Sequence, residues 1–188
     1  MSDLSGLEDW KKTHAGFDYA DPSPIRERIR SKGYAASPED VDILNAIVLW
    51  KINRQIELDF ETIEHLNTIA SSVATPEQAL AHKDVTWLVE RLIGSKGVGL
   101  PVASAILKQY CTQAFPIIDQ RAFFTLHRQR LSLNAGADTY LEYIKDCADI
   151  ASRYGIPFEK VDEVLYQLDK ESGRTLNTVD EPKNRADD

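Results

Sequence analysis

A lone carboxylate, Asp119, ends the run Phe115-Pro116-Ile117-Ile118. Its apolar neighbours predict a site from which water is partly excluded. A carboxylate there can stabilise a developing positive charge, and it can orient or deprotonate an attacking water. Aspartate is also a preferred helix N-cap, and one side chain can serve both roles. Upstream, Lys96-Gly97-Val98-Gly99 joins two apolar segments. Glycine accepts positive φ and lets backbone approach a ligand closely. The amides of such a turn, and those opening the next helix, lack intrahelical partners and suit a phosphate oxygen. Val98 is expected to plug into the core, with Lys96 adding charge beside the turn. Contacts of this kind position a polyanion without reading its sequence. A G-x-G between helices is also compatible with a plain connection.

The elements that must carry these residues are all helical. Pro24 to Lys32 reads as a short helix stopped by Gly33. Ser37-Pro38-Glu39-Asp40 is a helix start, and Val41, Leu44, Ile47, Val48 and Ile52 then fall on one apolar face. Asp59 caps the next helix, with Phe60, Ile63, Leu66, Ile69 and Val73 expected inward. Thr75-Pro76-Glu77-Gln78 matches a capping box before a short helix to Ala81. A hairpin over 85–112 follows: one helix from Val85 to Gly94, then a second with Pro101 as its first residue. Asp119 to Arg130, Asp138 to Tyr154, and Ile156 to about Glu171 complete the set, with Phe158, Val161, Val164, Leu165 and Leu168 expected inside the last. No alternating strand pattern is present, so the fold class is all-α. Residues 1–20 read as an N-terminal arm, 21–173 as the helical domain and 174–188 as a polar, disordered tail.

No apolar run approaches the length of a membrane span, and Met1-Ser2-Asp3-Leu4 does not read as a signal peptide. The expected address is cytoplasmic, or nucleoid-associated in a prokaryote. Two cysteines, Cys111 and Cys147, are too few for a four-cysteine iron–sulfur cluster, and both read as buried thiols. The four histidines show no metal-ligand spacing, so no metal site is expected. The formal charge of −8 argues against a nucleic-acid partner. Its distribution argues the other way, because Arg91, Lys96, Lys108, Arg121, Arg128 and Arg130 stand against Asp119 alone over that stretch. An acidic body with one basic face is one outcome, and an ordinary solvated helix surface is the other.

The string from Leu92 to Leu107, followed by Phe115 to Asp119, resembles the helix-hairpin-helix DNA glycosylase superfamily, which includes endonuclease III and the 8-oxoguanine glycosylases. The resemblance is sharpest over 92–126 and extends over 41–171. It implies two small helical subdomains with a cleft between them that receives a flipped base. It makes Asp119 the catalytic aspartate. Lys96, Gly97, Val98 and Gly99 would then hold the DNA backbone, with Arg121 and Arg128 as further backbone contacts. Lys51, Asn53 and Gln55 lie where endonuclease III-like proteins place a pocket glutamine. Asp162 and Tyr166, four apart and so on one helical face, correspond to a polar reader and an aromatic stacker of the base. Bifunctional members carry a lysine two residues after the second hairpin glycine, where this chain has Pro101. The resemblance therefore implies a monofunctional hydrolase on double-stranded DNA. The expected state is a monomer with no cofactor, apart from a monovalent cation that the hairpin could accept. A non-catalytic helix-hairpin-helix DNA-binding module, or a glycosylase/lyase using another lysine, remain alternatives at this level.

Overall fold

The computed structural model describes residues 23–32, 41–51 and 56–174, so the N-terminal arm and the tail beyond Arg174 lie outside the described residues. Among the described residues the structure is helical with no strand, in keeping with the all-α expectation. The chain divides into two compact units, with the boundary between Glu57 and Leu58. The first holds α1 (Ser23–Ser31) and α2 (Val41–Lys51), which pack on one another. The expected inward face of α2 is not the buried one. Ile43 is buried, while Leu44 and Val48 are 53% and 57% exposed. Only Asp42, Asn45 and Lys51 interrupt its apolar residues, so several faces fit the same spacing and periodicity cannot select among them.

The second unit begins at Leu58 and contains α3 (Phe60–Ser72), α4 (Pro76–Ala81), α5 (Lys83–Gly94), α6 (Leu100–Tyr110), α7 (Gln120–His127) and α8 (Ala137–Tyr154). A single 3-10 turn, Phe158–Lys160, then leads into α9 (Val161–Glu171). The starts follow local chemistry. Asp59 Oδ1 accepts the Thr62 N–H at 2.8 Å. Thr75 Oγ accepts the Gln78 N–H at 3.3 Å, and the Gln78 side chain reaches back to the Ala74 N–H at 2.8 Å, one residue beyond the expected box. Gly155, at φ +65°, stops α8 in the left-handed conformation that glycine tolerates.

Helix α5 is the centre of this unit and packs against α3, α6 and α8. Its Val85, Leu88, Val89 and Leu92 are almost wholly buried, each contributing about 1.5–3 kcal/mol relative to exposure. In α3 the buried stripe runs Thr62, Leu66, Ile69 and then Val73, at helical spacing. Phe60 and Ile63 flank that stripe, and Phe60 is 73% exposed. In α9 the buried residues are Val161, Asp162, Leu165 and Asp169, so Val164 and Leu168 face outward rather than in. Two carboxylates thus occupy positions that an apolar pattern would have filled. Cys111 and Cys147 are free buried thiols, as expected, and burial raises the pKa of both.

Candidate functional site

The hairpin forms between α5 and α6. Ser95 ends α5, its Oγ donating to the Arg91 carbonyl at 2.8 Å, and the Val98 N–H donates to the Ser95 carbonyl at 3.1 Å. Val98 is buried and Ala103 has no exposed surface, which lets the two helices approach closely. Gly97 lies at φ +77° and needs glycine for the turn itself. Gly99 is different: it is the N-cap of α6 at φ −95°, ψ 172°, and a Cβ there would meet only Pro101 Cδ, at 3.9 Å. Pro101 stands second in α6 after Leu100, not first as expected. Helical geometry leaves the N–H groups of Gly99, Leu100 and Val102 without intrahelical acceptors, and proline has none to offer.

The segment from Phe115 to Asp119 belongs to no helix, yet side chains from three helices anchor its backbone. The Ile117 N–H donates to Asp162 Oδ2 at 2.9 Å and the Ile118 N–H to Ser104 Oγ at 3.1 Å. Tyr140 Oη donates to the Pro116 carbonyl at 2.8 Å, and Tyr143 Oη to the Ile117 carbonyl at 3.3 Å. Phe115 and Ile118 are fully buried. Burial, reinforced by Cys147, Asp162 and Asp119 nearby, raises the Tyr143 phenol far above its ordinary value, so it stays a donor. At the end of this anchored segment Asp119 caps α7. One oxygen, Oδ1, accepts both the Arg121 and Ala122 N–H groups at 2.8 Å. Oδ2 accepts from no described residue, and the side chain is only partly buried.

Asp162 is buried beside the buried Lys108 of α6. The ammonium donates to Asp162 Oδ1 at 2.5 Å and to the Glu159 carbonyl at 2.8 Å. Both carboxylate oxygens of the expected base reader are therefore engaged inside the protein. Tyr166, one turn further along α9, lies at the more exposed edge of the same face, with the Arg121 guanidinium 5.8 Å from its ring. Arg121, expected at the DNA backbone, donates to Asp169 Oδ2 at 2.7 Å, and Arg174 donates to Asp169 Oδ1 at 2.6 Å. Burial works to raise the Asp169 pKa, but hydrogen bonds and charge from Arg174 and Arg121 outweigh it and hold the group below its ordinary value.

Arg128 is exposed at the C-cap of α7, at φ +56°, and Lys96 is exposed in the turn. Lys51 is the last residue of α2, in the first unit, while Asn53 and Gln55 lie outside the described residues. Of the six basic residues between 91 and 130, Lys108 is paired internally with Asp162 and Arg121 with Asp169, so the basic stretch is weaker at the surface than its residue count implies. A cavity of about 410 Å³ lies elsewhere, between Thr75–Glu77, Gln113 and the end of α8, and none of the expected site residues lines it. Sequence reading missed Ser104, Tyr140, Tyr143 and Asp169. The available signal was Ser104 and Lys108 at a four-residue spacing within an apolar helix. No protein-family model, curated protein or solved structure matches this chain.

Proposed function

We propose that the chain is a DNA glycosylase that hydrolyses the N-glycosidic bond of a flipped damaged, mismatched or modified base in double-stranded DNA, acting as a monomer. The observation carrying this reading is Asp119, fixed through Oδ1 at the end of an anchored segment while Oδ2 accepts from no described residue. Loss of a base builds positive charge on the sugar, as in glycoside hydrolysis. A fixed carboxylate is already oriented towards that charge and costs no reorganisation at the moment of reaction. The C1′–N bond breaks with its electron pair leaving on the base. Water supplies the new oxygen at C1′, and Asp119 orients that water and receives or relays its proton. The hairpin, with Gly97 turning the chain and the α6 amides beyond it, would grip a backbone phosphate.

Two features favour hydrolysis without strand cleavage. Pro101 occupies the place where a Schiff-base lysine would be needed, and the Lys108 ammonium is engaged by Asp162 and the Glu159 carbonyl. The test is a panel of duplex oligonucleotides carrying single lesions, mismatches or modified bases. Expected is an abasic product cut only by later alkali, with no adduct trapped by borohydride. Asp119→Asn retains a cap acceptor and should stay folded while losing excision. If Asp119→Asn releases the base as fast as the parent, the carboxylate has no catalytic part. If the parent binds every duplex and releases nothing, the chain is a DNA-binding module.

A further inference from the structure

The hairpin helix and the Asp119 segment are joined by two side chains of α6. Ser104 and Lys108 lie one turn apart on the same face. Ser104 Oγ takes the Ile118 N–H. Lys108 acts through Asp162, whose second oxygen takes the Ile117 N–H. The geometry points to Lys108 as a positioning residue: its buried pair with Asp162 sets the place of Asp119 relative to the helix that would grip DNA. This rests on the glycosylase reading above.

The physical case begins with burial. The Lys108 and Asp162 side chains are 6% and 4% exposed. A buried carboxylate without its cation is costly and must rearrange or be neutralised. In either case the charge-assisted bond to the Ile117 N–H weakens, because neutral acceptors bind a donor about half as strongly. Asp119 follows two residues later, with no other side chain holding the Ile117 amide. Looseness at Ile117 then reaches the carboxylate through Ile118, against the Ser104 tether and the α7 cap.

The test uses the full chain and the duplex, found with the lesion panel, whose base the parent releases. Lys108→Met should lower the single-turnover excision rate by about 10- to 100-fold, the scale of an ångström-sized misplacement. Affinity for the same duplex, read by fluorescence anisotropy at fixed salt, should stay unchanged. Asp162→Asn keeps an acceptor for the Ile117 N–H and should fall between parent and Lys108→Met. Independently of activity, NMR should show faster hydrogen exchange at the Ile117 amide and an altered Asp119 carboxyl carbon shift in Lys108→Met, with the Leu107 amide unmoved. A folded Lys108→Met that retains the parent's Ile117 exchange and Asp119 shift overturns the proposal. So does a rate loss matched by an equal loss of duplex binding. Failure of every variant at 108 and 162 to fold assigns the pair to stability alone and ends the proposal. If the parent excises nothing, the glycosylase reading falls, while the NMR comparison still decides whether Lys108 positions Asp119.

Discussion

The two hairpin glycines should respond differently to alanine. Gly97 sits at φ +77°, where an L-residue costs about 1–2 kcal/mol. Reduced freedom of the unfolded chain returns about 0.4–1 kcal/mol. Gly97→Ala should therefore destabilise by about 1 kcal/mol. Gly99 has an extended backbone and room for a Cβ 3.9 Å from Pro101 Cδ. Alanine is a poorer N-cap than glycine by about 0.5–1 kcal/mol, which the same unfolded-state gain of about 0.4–1 kcal/mol offsets. Gly99→Ala should leave stability within about 0.5 kcal/mol of the parent. With a urea slope of about 2 kcal/mol per M, Gly97→Ala shifts the unfolding midpoint by about 0.5 M and Gly99→Ala by much less. DNA binding should not follow that order. If the α6 amides meet a phosphate, a methyl on Gly99 stands in its approach, so Gly99→Ala should weaken duplex binding without unfolding anything. Urea titration followed by intrinsic fluorescence, with anisotropy on a labelled duplex at one salt concentration, reads both quantities. A Gly99→Ala chain with parental affinity refutes phosphate capture at this turn. A Gly99→Ala chain less stable than Gly97→Ala refutes the conformational argument.

Three other outcomes are expected. Tyr140→Phe strands the buried Pro116 carbonyl, now served at 2.8 Å, and should cost about 1–3 kcal/mol; Tyr143→Phe, at 3.3 Å, should cost less in the same denaturation assay. Asp169 has a lowered folded pKa, so its pairing with Arg121 and Arg174 stabilises above the ordinary carboxylate range and is lost as pH falls through the folded value. Asp169→Asn should therefore shrink the drop in melting temperature between pH 5 and pH 3, and an unchanged drop would sink that assignment. Arg128 holds a left-handed C-cap at φ +56°, so Arg128→Gly should stabilise by up to about 1 kcal/mol while weakening duplex binding; unchanged binding removes Arg128 from the DNA contacts.

Much of the second unit is legible in the sequence. Asp59, Thr75 and Asp119 cap the helices they were expected to cap, because caps are set by residues three or four positions apart. Gly155 ends α8 and Val98 fills the turn for equally local reasons. What was hidden is non-local. Lys108 and Arg121 read as surface cations because nothing near them in sequence names Asp162 or Asp169, which come 54 and 48 residues later. Asp162 and Tyr166 share a helical face by spacing, but Lys108 of α6 and the Ile117 amide enclose Asp162, while Tyr166 is left at the surface. A four-residue step keeps side chains about 5–6 Å apart between Cβ atoms, enough to straddle the edge of a core. In α2, too many apolar residues left no single face to choose.

The anchored segment also says when Asp119 can find its place as the chain folds. Its four tethers close loops of 14, 24, 26 and 45 residues, to Ser104, Tyr140, Tyr143 and Asp162. Three of those partners are synthesised after the segment itself. A growing polypeptide that has emerged only as far as α7 can already build the hairpin, since its contacts are local, but cannot yet hold the carboxylate. In the glycosylase reading, the hairpin proposed to grip DNA would therefore form before the proposed catalytic carboxylate is held in place.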